Sequence, residues 1–221
     1  MIRLAVTTIC LFSLAGAIAQ SDPWKDIYSE SAWKERDKWQ RTSELIKRLR
    51  ITPGSKVADI GCHQGYLTFR LSPVVGSAGM VYAVDVEQSK LDKVRAYAEK
   101  NAVGNVLPVK GDYDNPHLPT GTLDAVIILD TYHEMDDHDK ILQHIKVALK
   151  RGGRLVLCEP LSEARRRSRR AEQEGKHELG MNFVVEDLRR AGFTIVEQTD
   201  RFVDREKVKG DKMWVVVAEK R

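Results

Sequence analysis

Cysteine is scarce in this chain, with three in 221 residues. Cys10 lies in an apolar N-terminal stretch, which leaves Cys62 and Cys158 for the rest. Both fall at the ends of runs that read as non-adjacent parallel strands, too far apart to bridge, so two free thiols are expected. A chain of this length can bury a core without such a staple. Charge of one sign is also lacking: 36 basic residues stand against 32 acidic ones. That balance gives no strong field for nucleic acid or an anionic membrane. After the leader stretch, no segment is long and apolar enough to span a bilayer. No internal repeat is visible, and with 42% hydrophobic and 31% charged residues the composition fits a soluble globular enzyme rather than a disordered chain.

The first nineteen residues stand apart from the fold. Arg3 supplies a positive start, residues 4–16 are largely apolar, and Ala17-Ile18-Ala19 forms a small-x-small pattern before Gln20. This reads as a secretory signal over 1–19 and predicts an exported, periplasmic or secreted protein, the alternatives being an uncleaved anchor or a cytoplasmic chain whose signal is not used. Residues 20–50 read as a helical lead-in. Trp24, Trp33 and Trp39 there either cover a substrate pocket or anchor the segment on the core.

The chain is organised around residues 57–71, VADIGCHQGYLTFRL. A short apolar run breaks at Gly61, Gly65 follows, and a helix-periodic segment begins, giving strand, tight turn and helix. Glycine permits positive φ and close approach of a ligand to the backbone, and the helix start offers unpaired N–H groups. The next strand, 80–85, ends in Asp85, twenty residues past Gly65. An acid there can bind ribose hydroxyls, or merely cap the following helix.

Strand and helix alternate onward: strands over 56–60, 80–85, 106–110, 123–129 and 154–159, helices over 65–73, 89–101, 138–149 and 182–191. Ser89 and Asp92 read as a variant capping box. The two last strand-like runs, 193–203 and 212–219, have no helix between them and read as an antiparallel hairpin. That ending is wrong for a nicotinamide dehydrogenase, where a second half would repeat the first.

Several motifs in this order closely resemble the class I S-adenosylmethionine-dependent methyltransferases, in the broad group that includes the ubiquinone and menaquinone biosynthesis enzymes. The resemblance runs from about Trp33 onward, with Arg36-Asp37-Lys38-Trp39-Gln40, then Pro53-Gly54 and VADIG, and later Asp130-Thr131-Tyr132-His133-Glu134. It looks closest to a bacterial subgroup with an N-terminal signal. It implies an α/β, Rossmann-like fold over 51–221, with a mostly parallel seven-stranded sheet closed by the C-terminal hairpin, and S-adenosyl-L-methionine as cofactor.

The resemblance also implies residue roles. Asp59, Gly61 and Gly65 match the first acid-and-glycine motif, and His63 stands where glycine is usual, either covering the cofactor or exposed on the turn. Asp85 corresponds to the ribose-binding acid. Asp112, beside Tyr113, matches the acid that accepts from the adenine amino group, an Asx-turn being the plain alternative. Asp130 can face the cofactor's amino group, and Tyr132 and His133 the acceptor, unless the loop only caps the helix after it.

Alignment of the acceptor with the sulfonium methyl is the main requirement, and a base is optional. His133 is the first candidate for one and His177 the second, or a solvated loop residue. No metal-ligating set is expected. Arg165 to Arg170 holds five arginines in six positions, read as a solvated face on an exposed helix over 162–174, the alternative being recognition of an anionic acceptor or a membrane surface. A small-molecule acceptor is expected, and no nucleic acid. The competing reading is an exported, non-catalytic protein that keeps the fold for ligand or partner binding.

Overall fold

The computed structural model describes residues 29–221. The signal pattern over 1–19 and Trp24 lie outside the described residues. Seven strands form one sheet in the order β3-β2-β1-β4-β5-β7-β6. They are β1 Lys56–Ile60, β2 Met80–Asp85, β3 Val106–Lys110, β4 Leu123–Leu129, β5 Leu149–Leu161, β6 Thr194–Arg205 and β7 Asp211–Glu219. The first five run parallel, and β7 enters antiparallel between β5 and β6.

Alternation along the central strands assigns their side chains to two cores. Val57, Ala125, Ile127 and Val156 face one side, where helices α1 Glu30–Gln40, α2 Thr42–Leu49, α3 Thr68–Val75 and α4 Gln88–Lys100 supply Trp33, Leu45, Phe69, Leu91 and Val94. Ala58, Val126, Ile128 and Leu157 face the other, against Leu142 and Ile145 of α5 His138–Ala148 and Val184 and Leu188 of α7 Met181–Arg190. The result is helix, sheet, helix. Trp33, only 1% exposed, stacks on Phe69 at 5.8 Å and meets Tyr97 at 5.1 Å, so this tryptophan anchors the lead-in on α3 and α4.

Three expectations are corrected. Residues 162–174 are not one helix but a single turn at Glu163–Arg165 followed by the short α6, Arg170–Glu174, because three of the arginines are drawn to acids in different directions. Arg165 pairs with Glu178, Arg166 with Glu163 and Asp200, and Arg170 with Glu174 and Asp187. A one-turn helix, α8 Glu206–Lys209, interrupts the terminal hairpin. Finally, α4 opens at Gln88 with Glu87 before it and no side-chain cap, so the Ser89 capping box does not form. Cys62 and Cys158 are free, as expected, and both are buried.

Candidate active site

In a parallel sheet the loops after the strands gather at one edge, and a crevice opens where the strand order reverses. Here the order reverses at β1, flanked by β2 and β4. The loop after β1 is pinned to β2, with Gly61 N–H and Cys62 N–H both donating to Val84 O. Gly61 takes φ 74°, and a Cβ there would collide with the Thr131 side chain from the loop after β4. Gly65, at φ 91°, lies against Phe69, whose ring would sit 2.6 Å from an added Cβ. Each glycine thus combines left-handed backbone with close packing.

His63 takes φ 50°, the left-handed conformation that glycine reaches without strain, which explains why glycine is usual at this position. Its backbone N–H donates to Asp85 Oδ2 at 2.8 Å, and Glu87 N–H donates to Asp85 Oδ1 at 2.9 Å. Each carboxylate oxygen keeps a further lone pair. Burial raises the Asp85 pKa, against the two backbone hydrogen bonds that lower it. Desolvation, with Lys90 and Lys93 nearby, lowers the His63 imidazole to about 4, so the ring is neutral at pH 7.

Asp59 sits behind the turn. It is 2% exposed, and its Oδ2 accepts the Thr68 hydroxyl at 2.6 Å, which ties the start of α3 to β1. Burial pushes its carboxyl up to about 6. Asp112, after β3, is exposed and meets His117 Nε2 at 2.7 Å; Tyr113 beside it is 76% exposed.

The loop after β4 holds the densest chemistry. Asp130 takes φ 58°, a conformation Asp tolerates better than most residues. Its carboxylate receives Arg205 Nη1 at 2.7 Å and lies 3.6 Å from Lys209 Nζ. Burial alone would raise its pKa, but the charge and hydrogen bonds of Arg205 outweigh that and hold it down to about 2. Tyr132 departs from its expected role. It is fully buried, and its hydroxyl donates to Asp187 at 3.1 Å, so it packs the loop onto α7 rather than facing an acceptor.

His133 is held instead by Glu159 of β5, a wholly buried carboxylate. Glu159 Oε2 accepts His133 Nδ1–H at 2.6 Å, and Oε1 accepts Thr131 N–H at 2.7 Å and Tyr132 N–H at 2.9 Å. Burial would depress the imidazole, and the hydrogen bond and charge of Glu159 raise it on balance. Because the carboxylate can only accept, Nδ1 keeps a proton, and in the neutral ring Nε2 presents its lone pair. The exposed His177 comes up beside it, ring centroids 5.7 Å apart, from the connection before α7. His133 and His177, 44 residues apart in sequence, are therefore brought together.

Sequence reasoning missed Glu159, Arg205 and Lys209, and gave Arg36 no role of its own. Glu159 left a usable signal, an acid closing an apolar strand. Arg36, on α1, stacks its guanidinium 4.1 Å over the Tyr66 ring, which brings the lead-in to the turn after β1. Arg205 and Lys209 sit in a charged stretch with nothing to distinguish them.

Residues 57–153 match the methyltransferase domain family. The chain is 33% identical over 123 residues to a protein of Saccharolobus solfataricus named a probable cobalt-precorrin-6B C(15)-methyltransferase (decarboxylating), covering 51% of this chain and 56% of the relative. It is 33% identical over 111 residues to the ubiquinone/menaquinone biosynthesis C-methyltransferase of Vibrio cholerae, covering 48% and 42%. The match thus spans about half the length of these curated relatives. The fold is similar to the crystal structure of a SAM-dependent methyltransferase from Aquifex aeolicus, with TM-score 0.70, 23% identity and coverage of 86% of this chain and 98% of that one. Residues 57–153 thus match a methyltransferase domain, and the strand order and the crevice at the reversal of the sheet agree with that match.

Proposed function

We propose that the protein transfers a methyl group from S-adenosylmethionine to a small-molecule acceptor. The observation that carries this reading is the arrangement at the turn after β1, where two positive-φ glycines fold the chain tightly against Thr131 and Phe69 and Asp85 is already oriented by two N–H groups. A carboxylate so held suits a pair of vicinal ribose hydroxyls. S-adenosylmethionine, when bound, supplies an electrophilic methyl group on a sulfonium, and the protein has to align the acceptor and exclude water.

In this reading Gly61, His63, Gly65 and Asp85 line the ribose end, and Asp112 with Tyr113 lies on the adenine side. Asp59 acts from behind, by fixing α3. Asp130 offers a negative charge for an ammonium group, which would share that carboxylate with Arg205 and Lys209. His133 and His177 line the acceptor side, and His133 Nε2 can take a proton from a hydroxyl or an acidic carbon. Export through the leader over 1–19 belongs to the same proposal, supported by the pattern of charge, apolar run and small residues.

Titration calorimetry of the full chain with S-adenosylmethionine, and then with its demethylated product, tests the reading. Micromolar binding that Asp85→Ala weakens about tenfold or more is expected, as for loss of hydrogen bonds to a charged group. A folded chain that binds neither compound would sink the proposal and leave the non-catalytic reading.

A further inference from the structure

Among the described residues, two groups of histidine and acid side chains bring ligand atoms within 4.8 Å of one another: His133, Glu134 and His177, and His138, Asp139 and Asp187. Their surroundings separate them. Asp187 is already taken by Arg170, Arg190 and the Tyr132 hydroxyl, at 2.7, 2.8 and 3.1 Å, so its charge is answered within the protein. Glu134 is placed differently, since the ion-pair neighbours of its carboxylate are the two histidines themselves, 3.7 Å from His133 Nε2 and 3.5 Å from His177 Nδ1.

We infer that His133, Glu134 and His177 form a binding site for a divalent transition-metal ion of the zinc type. The spacing fits. With bonds of about 2.1 Å, tetrahedral geometry sets ligand atoms about 3.4 Å apart, and the two separations from the Glu134 carboxylate, 3.7 and 3.5 Å, lie within a few tenths of an ångström of that. Two imidazoles and one carboxylate suit zinc and neighbouring first-row ions, whereas magnesium and calcium favour all-oxygen sets.

Glu159 also prepares His133 for an ion. A metal-bound histidine usually donates its other ring N–H to a carboxylate or carbonyl, which fixes the tautomer and strengthens the ligand. Glu159 does this for His133 at 2.6 Å from a fully buried position, itself held by two backbone N–H groups. His133 is thereby aimed with Nε2 outward before any ion arrives. Three protein ligands leave coordination positions open, as at catalytic rather than structural zinc sites.

The site lies in the loop whose Thr131 abuts Gly61, next to the turn assigned to the cofactor. Resting on the methyl-transfer reading, the open position would take an acceptor oxygen, such as a hydroxyl or carbonyl, and lower its affinity for a proton. An ion on Nε2 occupies the lone pair a base would use, so His133 is then a ligand and not a base. The sequence expected no metal because His177 is remote from the other two ligands and no known ligand spacing joins them.

Zinc chloride titrated by calorimetry into the full, chelator-treated chain should show one equivalent bound in the micromolar range or tighter. His177→Ala and Glu134→Gln, both at exposed positions, should each weaken zinc about tenfold or more while the urea unfolding midpoint stays in place. No stoichiometric zinc binding by the folded chain would overturn the inference, as would variants that bind zinc like the parent. Titration of the same samples with S-adenosylmethionine reports on the methyl-transfer reading separately: cofactor binding without zinc binding sinks this site alone.

Discussion

At the scale of single residues, the acid of the first motif carries a measurable cost. A free Asp titrates near 4, and burial lifts Asp59 to about 6. The folded chain therefore holds this proton more tightly than the unfolded one. The group favours folding below about pH 4, and that contribution disappears as pH rises from 4 to 6, a difference of about 3 kcal/mol. Asn keeps an oxygen to accept the Thr68 hydroxyl and carries no charge. Asp59→Asn should accordingly be more stable than the parent by about 1–3 kcal/mol at pH 7.5 and close to it at pH 4, read from urea unfolding at both values. An equal difference at the two pH values would refute the assignment. The motif was legible from spacing; that the acid works from beneath the turn was not, because sequence order does not tell which lone pairs a neighbouring Thr68 has already engaged. His63 is the converse case. Its odd identity was visible in the sequence, and the φ of 50° supplies the reason glycine is usual there.

At the scale of elements, the lead-in is fastened to the domain by Trp33 together with Asp37, which pairs with Arg70 and accepts the Tyr66 hydroxyl. Trp33 is 1% exposed among Phe69, Tyr66 and Tyr97, while its buried Nε1 has no hydrogen-bond partner among the described residues. Trp33→Ala leaves a cavity and should cost about 3–5 kcal/mol. Trp33→Phe keeps a ring and removes an unpaired N–H, so its cost should stay within about 1.5 kcal/mol. Urea denaturation of the pair checks this; equal losses would mean that the ring stack is not what holds α1. Four of the parallel strands match their sequence readings because their short apolar runs end sharply at turns. The fifth begins earlier than read, at Leu149, since the Gly152-Gly153 pair lies inside the strand rather than before it. The arginine run shows the limit: its pattern is that of a solvated helix, and only Glu178, Asp187 and Asp200, all downstream, decide how it bends.

At the scale of the whole molecule, compartment and covalent state meet in one measurement. Cys62 and Cys158 are both buried, and burial holds both thiols well above their ordinary pKa. Thiolate is the reactive form, so neither thiol is poised for oxidation even where disulfides are common. Intact mass after denaturation and alkylation without reductant should give a chain starting at Gln20 with two alkyl groups. A bridged chain would refute the thiol assignment, and a start at Met1 in the cytoplasmic fraction would refute export. The sheet and its order were readable from motif order, whereas the grouping of Glu159 with His133 and His177 was not. It is assembled from β4, β5 and the connection before α7, three segments whose proximity exists only after the sheet has closed.

The order of the sheet has a consequence for how the chain is made. β7, over Asp211–Glu219, fills the place between β5 and β6, so the last of the strands to leave the ribosome is an inner one. Until it emerges, β5 presents a long apolar edge and β6 has no neighbour to pair with, the kind of exposed template on which nascent chains associate wrongly. Arg205, which pairs with Asp211 across α8 and with Asp130 of the loop after β4, then acts as the latch that seats the late strand, so completion of the sheet and closure of that loop become a single event.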